Sequence, residues 1–297
     1  MIFTFESGAG YTFAEIDYEG TSDRVTLEDS WDTGAAASRM AEGTPPYYNG
    51  RNYYGQTLES REVILSYALE SDTRDHLFAL VRNLKTIFNP LDGAGVLTQT
   101  MDDGITAFCL DVVINGEPVC PPGKQNRKHW FQRFIVRMKA PIPFWYAPTR
   151  HMLNFQSFVG GMTLPLTLPM NFGEAGSSTE AINAGNVPTP LYVVFTGYIL
   201  NPCLSLGYED DPNYKEIRIN QEILEGETLV INTAQGNHTV DWFDAFGTPT
   251  NGFGYLDPSS EFFWLLPGYN YLTYATSESV GTGASCTVYW YDRYLGV

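Results

Sequence analysis

The sequence predicts a mainly β protein, an N-terminal β-rich domain with one α-helix followed by a C-terminal antiparallel β-sandwich. Three observations predict it. Glycine (28), proline (18) and tyrosine (19) are plentiful in the 297 residues, as in chains built from short strands and turns. Apolar residues alternate with polar ones in short runs separated by turn signals, most clearly from Leu191 to Phe195, Thr239 to Phe243 and Phe262 to the end. One segment alone, with Leu77, Leu80, Val81, Leu84, Ile87 and Phe88, has the i, i+3, i+4 spacing of an amphipathic helix.

Taken in order, Ile2 to Leu27 reads as short strands with Gly10 and Gly20 between them. Asp32 to Gln56 reads as a long Gly/Pro/Tyr-rich loop, and a loop of that length is functional or disordered. Its residues Tyr47, Tyr48, Tyr53 and Tyr54 argue against disorder and suit an interface, because tyrosine supplies contact area at low entropic cost. The alternative is a loop folded back on its own domain. Arg61 to Leu65 is a strand. A helix over 72–88 follows, with Asp72 as its N-cap and Asn89-Pro90 as its stop.

Val96 to Thr100 and Ile105 to Ile114 flank Asp102-Asp103-Gly104 as a hairpin, and Asn115-Gly116 supplies a further reversal. Phe131 to Lys139 is the next strand. Pro141, Pro143 and Pro148 then interrupt regular pairing and place the boundary near Ala147 to His151, which gives domains 1–148 and 149–297. Beyond it Leu191 to Phe195, Glu216 to Asn220, Glu222 to Asn232, Thr239 to Phe243 and Phe262 to Tyr274 read as strands of a second sandwich. The stretch Phe262 to Val297, turning at Pro267-Gly268, reads as its last hairpin of half-buried strands.

The net charge of −17 conceals a pattern. Residues 1–117 carry net −12, residues 118–173 net +7 and residues 174–297 net −12. In the basic belt Lys124, Arg127 and Lys128 sit in a loop, while Arg133, Arg137 and Lys139 share one face of the strand Phe131 to Lys139. A solvated strand face is the bland account. Self-association, with the belt of one copy against acidic surface of the next, is the sharper one, and a head-to-tail contact of that kind generates a closed ring if its rotation closes. So acidic a chain repels phosphates over most of its surface, which argues against sequence-specific nucleic-acid binding.

No constellation for chemistry assembles. His76, His129, His151 and His238 show no paired-ligand spacing, and Cys109, Cys120, Cys203 and Cys286 form no C-x-x-C pair, so buried free thiols are expected and no cofactor or metal is implied. Asp241 and Asp244 flank Trp242-Phe243 and could be read as the carboxylate pair of a glycosidase beside a sugar-binding aromatic. A strand ending in an acidic turn explains them more simply. No run of about 18 apolar residues exists, so membrane insertion is not expected, and the N-terminus lacks the pattern of a signal peptide.

Several stretches together resemble the siphovirus tail-component family, the distal tail proteins of long-tailed bacteriophages. They are Ile182-Asn183-Ala184-Gly185-Asn186 before Pro190, Phe195 to Pro202, Glu225 to Thr233, the Phe263 to Asn270 turn and Arg293 to Val297. In the first half they are Arg61 to Leu65 and, past the helix, Phe88 to Gly93. The resemblance implies a non-enzymatic virion protein of the tail tip, assembled in the host cytoplasm. Its N-terminal domain would form a ring of six around a DNA channel, with a galectin-like C-terminal sandwich projecting from it. Implied partners are further copies of the chain, the tail tube protein, the tail-tip hub and tape-measure proteins, and receptor-binding proteins. A carbohydrate-binding adhesion module on the same sandwich is the alternative. The Tyr-rich segment 32–56 is unusually long for the family.

Overall fold

The computed structural model describes residues 2–15, 23–28, 32–47, 49–156, 176–208, 211–276 and 284–297. The protein is mainly β with one α-helix among the described residues. It divides into two compact units, Met1–Pro148 together with Leu295–Val297, and Thr149–Tyr294.

In the first unit seven strands pair antiparallel in the order Thr12–Phe13, Ile2–Glu6, Ala94–Thr100, Ala107–Ile114, Phe131–Ala140, Arg61–Ser71, Asp23–Leu27. Alternation decides which face is buried. Along Arg61–Ser71, Val63, Leu65, Tyr67 and Leu69 point inward, and Phe134, Val136 and Met138 of the neighbouring strand join them. The helix Arg74–Ile87 covers this face through Leu77, Leu80, Leu84 and Ile87. Phe88, one residue past the helix, is its hub, with ring centroids 5.1 Å from both Phe5 and Phe13 and 6.3 Å from Phe134. The N-cap is Thr73 rather than Asp72. Thr73 Oγ1 accepts from His76 N at 3.3 Å, while Asp72 Oδ1 lies 3.1 Å from the His76 ring.

The segment expected as a long loop is in large part a hairpin. Ser38–Gly43 pairs with Asn52–Leu58, with a bulge at Ala41/Glu42, and among the described residues these two strands form a sheet of their own. Neither face is buried, so no hydrophobic period marks the strands in the sequence. The expected strand Ile105 to Ile114 begins later, at Ala107, because the Asp103 carboxylate accepts from the backbone of Ile105 and Thr106 and holds both in the turn.

The second unit is a sandwich. One sheet runs His151–Gln156, Ser285–Trp290, Tyr192–Thr196, Thr228–Asn232, Thr239–Phe243, Pro249–Asn251; the other runs Gly176–Asn183, Gly268–Ala275, Cys203–Leu206, Lys215–Arg218. Phe155, Val193, Phe195, Leu229, Ile231, Val240, Cys286 and Val288 of the first pack against Ala181, Leu204, Ile217, Leu272 and Tyr274 of the second in one core. The closing stretch is therefore not one hairpin. Gly268–Ala275 belongs to the four-stranded sheet and Ser285–Trp290 to the six-stranded one, while Trp264–Leu265 pairs with Thr189–Pro190. Likewise Glu222 to Asn232 is two strands, interrupted where Glu227 N bonds Leu224 O and Gly226 takes φ +88°.

Candidate assembly interface

The hairpin of the first unit is rooted firmly and exposed beyond its root. At the root Asp32 and Ile64 exchange two backbone hydrogen bonds of 2.8 Å, and Glu59 N donates to Ala37 O at 2.7 Å. Gly34 has φ +67° and lies so close to the Glu62 carbonyl that a Cβ would sit 2.0 Å from its oxygen, so only glycine fits. Arg61 clasps the root. Its buried guanidinium donates from Nε to Pro143 O (3.0 Å), from Nη1 to Gly34 O (2.5 Å) and from Nη2 to Leu295 O (2.5 Å). Desolvation lowers its pKa from the ordinary value, and the three carbonyls satisfy the charge that burial strands.

Beyond the root, Met40, Tyr53 and Tyr54 are exposed. Tyr54 lies over Gly43, where a Cβ would meet its ring at 2.6 Å. Arg51 and Glu42 form an exposed ion pair of 2.9 Å across the strands. Tyr47 is fully exposed and sits in the left-handed region at φ +67°, a conformation that a bulky residue adopts at a cost. Tyr48 lies outside the described residues.

The basic belt is mixed with acid in three dimensions. On the outer face of the sheet Lys139 stands opposite Glu62 and Arg137 opposite Ile64. Arg133 Nε is 2.7 Å from Glu28 Oε2, an ion pair by distance without hydrogen-bond geometry, and its Nη1 donates to Asn126 Oδ1 at 3.2 Å. In the preceding loop the Arg127 guanidinium lies 5.8 Å from the Phe78 ring centroid and Lys128 Nζ 5.3 Å from that of Trp130. Lys124, Arg127, Lys128, Arg137 and Lys139 are exposed, whereas Arg133 is half-buried and committed within its own chain. Glu28 and Glu62 come from distant parts of the sequence, and the one-dimensional charge count could not place them beside the belt.

The residues weighed for chemistry have structural work. Asp244 accepts from the backbone N–H groups of Phe246 (2.9 Å) and Thr248 (2.8 Å), and such bonds hold its carboxyl below the usual range. That is the wrong direction for a general acid. His151 stacks on Trp290 and lies 2.8 Å from Asp292 Oδ2, and His238 stacks on Phe262. The four cysteines are unpaired, Cys109, Cys203 and Cys286 being buried and Cys120 partly so. Asp23, Asp72 and His76 bring ligand atoms within 4.8 Å of one another on the surface, a grouping the sequence reading did not anticipate; it is too exposed to argue a metal from.

Some of the stretches that carried the family resemblance close turns in the second unit. Buried Asn183 donates from Nδ2 to Val187 O (3.0 Å) and Leu265 O (3.1 Å), and its Oδ1 accepts from Gly185 N (3.0 Å). Gly185 faces the Arg293 carbonyl, which a Cβ would approach to 2.1 Å. Asn270 folds back on the Pro267-Gly268 turn, accepting from Leu266 N (2.9 Å) and donating to Leu266 O (2.8 Å) and Gly268 O (3.0 Å).

The class defined by these features is a mainly β protein of two units, the second an antiparallel sandwich whose turns are closed by buried asparagines. Within that second unit, residues 184–294 match the family described as siphovirus-type tail component, C-terminal domain. The whole chain is similar in fold to the crystal structure of SPP1 Dit (gp 19.1), described as a paradigm of the hub adsorption apparatus in phages infecting Gram-positive bacteria. The TM-score is 0.61 at 14% identity, and the alignment covers 98% of each chain. Two structures of the phage P2 baseplate in its activated conformation, one with Ca and one with Sr, align over 97% of each chain at 10% identity with a TM-score of 0.48. No curated protein matches the chain. No helix among the described residues is long and apolar enough to cross a membrane.

Proposed function

We propose that the chain is a structural protein of the phage tail tip, a distal tail or baseplate hub component that joins the tail tube to the tip complex. The match of residues 184–294 to the tail-component domain carries this reading, and the fold shared with SPP1 Dit supports it. The role is architectural rather than catalytic. Residues 1–148 form a ring, six copies being the expected number, and residues 149–294 make a galectin-like sandwich. Partners are further copies of the chain, the tail tube, hub and tape-measure proteins, and receptor-binding proteins. Its place is the virion tail tip, after assembly in the host cytoplasm, which suits four unpaired cysteines.

In this reading the ring contact is made by the hairpin Ser38–Leu58 through Tyr47, Tyr48, Tyr53 and Tyr54, and by Lys124, Arg127, Lys128, Arg137 and Lys139. A two-stranded hairpin without a buried face is marginal in water, so a neighbouring copy supplies the missing contact. Because Arg133 already faces Glu28, the other basic residues supply register and association rate, more than affinity. Acidic residues of the first unit line the channel, where a negative wall lets DNA pass without sticking.

Size-exclusion chromatography with light scattering and native mass spectrometry test the reading. A closed ring is expected from the full chain, and monomers from a variant in which residues 39–57 are replaced by a short Gly-Ser turn. A full chain that stays monomeric at high concentration sinks it. A resolved ring with a neutral or basic lumen would remove the channel argument.

A further inference from the structure

The outer face of the four-stranded sheet in the second unit holds a second candidate site. While Leu204, Ile217, Leu272 and Tyr274 point into the core, the alternate residues face outward. Ser205 stands opposite both Thr273 and Glu216, and Cys203 opposite both Ala275 and Arg218. These short side chains floor a cleft of ≈ 360 Å³, which Tyr208, Tyr214, Glu216 and Arg218 also line. That volume is at the small end of ligand sites, which run to about 300–1,000 Å³.

The polar groups are held in place. Glu216 Oε2 accepts from Tyr214 OH at 2.9 Å and Arg218 Nη2 at 3.0 Å, with Cys203 Sγ 3.6 Å away. Burial pushes the Glu216 carboxyl up, but the bonds from Arg218 and Tyr214 outweigh it and keep the group below its ordinary value. Burial and then Glu216 push both the Cys203 thiol and the Tyr214 hydroxyl up to about 12. At neutral pH the cleft therefore presents one carboxylate, one guanidinium, a phenol and a thiol, with no activated nucleophile. The paired charges cancel, so neither a phosphate nor an ammonium ligand meets a matching field. An acceptor beside a donor, at fixed spacing, suits vicinal hydroxyl groups. Tyr208 and Tyr271, exposed and 5.6 Å apart between ring centroids, add a flat apolar surface next to these groups.

We propose that this cleft binds a neutral saccharide, one or two pyranose rings, with hydroxyls on Glu216 and Arg218 and a ring face on Tyr208. The site lies wholly within the second unit and goes beyond the architectural role, so either can fail without the other. Saturation-transfer NMR on the full chain tests it with methyl β-glucopyranoside, methyl β-galactopyranoside, N-acetylglucosamine and glycerol 3-phosphate as probes. At least one pyranose should show transfer with a Kd on the order of 1 mM, and glycerol 3-phosphate should show none. Glu216→Gln and Tyr208→Ala should each weaken binding about tenfold; Tyr208 is exposed, so its variant should fold. Phe246→Ser, at an exposed turn residue away from the cleft, should bind as the parent does. Transfer to no pyranose, transfer to glycerol 3-phosphate alone, or undiminished binding by both cleft variants overturns the proposal.

Discussion

Two hairpins of the first unit are made from similar lengths of chain and have opposite relations to water. In the one formed by Ala94–Thr100 and Ala107–Ile114, Leu97, Leu110 and Val112 are fully buried, and both of its strands pair with further strands of the sheet. In the one formed by Ser38–Gly43 and Asn52–Leu58, almost every side chain is exposed, and the strands pair only with each other among the described residues. The first is held by the core it helps to make. The second is held by its root, and its tyrosines and Met40 are left to face something else. Stability and assembly should therefore separate between the two.

The largest separation is expected from truncation in each. Leu110→Ala should cost about 2–5 kcal/mol in urea unfolding, whereas Tyr53→Ala should move stability by less than about 0.5 kcal/mol and act on ring formation. A stability loss for Tyr53→Ala as large as that for Leu110→Ala breaks the comparison. Next is the root: Arg61→Ala leaves three carbonyls without their donor and should cost at least about 1–3 kcal/mol, with Arg61→Lys unable to restore all three bonds. Smaller still, Tyr47→Asn should gain roughly 0.5–1 kcal/mol by relieving the left-handed backbone while weakening the oligomer. Thermal unfolding alongside light scattering reads both effects, and a loss of stability would show that the tip is braced internally. Lys139→Glu places like charges opposite each other at Glu62 and should cost about 0.2–1 kcal/mol. In stopped-flow assembly at low salt the same variant should slow association; an unchanged rate would take Lys139 out of the contact.

The two hairpins also mark what was legible in the sequence. Leu97, Leu110 and Val112 announce their strands because burial imposes a period of two. Tyr53 and Tyr54 announce nothing, because a strand with two wet faces has no period to display. The helix was plain from its stripe, but not its cap, since Asp72 and Thr73 can both serve and only geometry decides between them. Where Gly268–Ala275 and Ser285–Trp290 would pair was hidden for a similar reason: alternation reports a buried face, and both sheets of a sandwich bury one. The sign of the belt could be read from Arg133, Arg137 and Lys139, but not the neutralising Glu28 and Glu62, which reach it from distant parts of the sequence. The cleft around Glu216 was equally invisible, because Cys203 and Arg218 become neighbours only through strand register.

The clasp at Arg61 has a further consequence, in time. Of the carbonyls it binds, Gly34 is made before it and Pro143 soon after, but Leu295 lies 234 positions downstream. At about 5–20 residues per second, a nascent chain waits roughly 12–47 s between the guanidinium and its last acceptor. The exposed hairpin of the first unit is thus clasped late, when the residues of both units up to Leu295 have been synthesised.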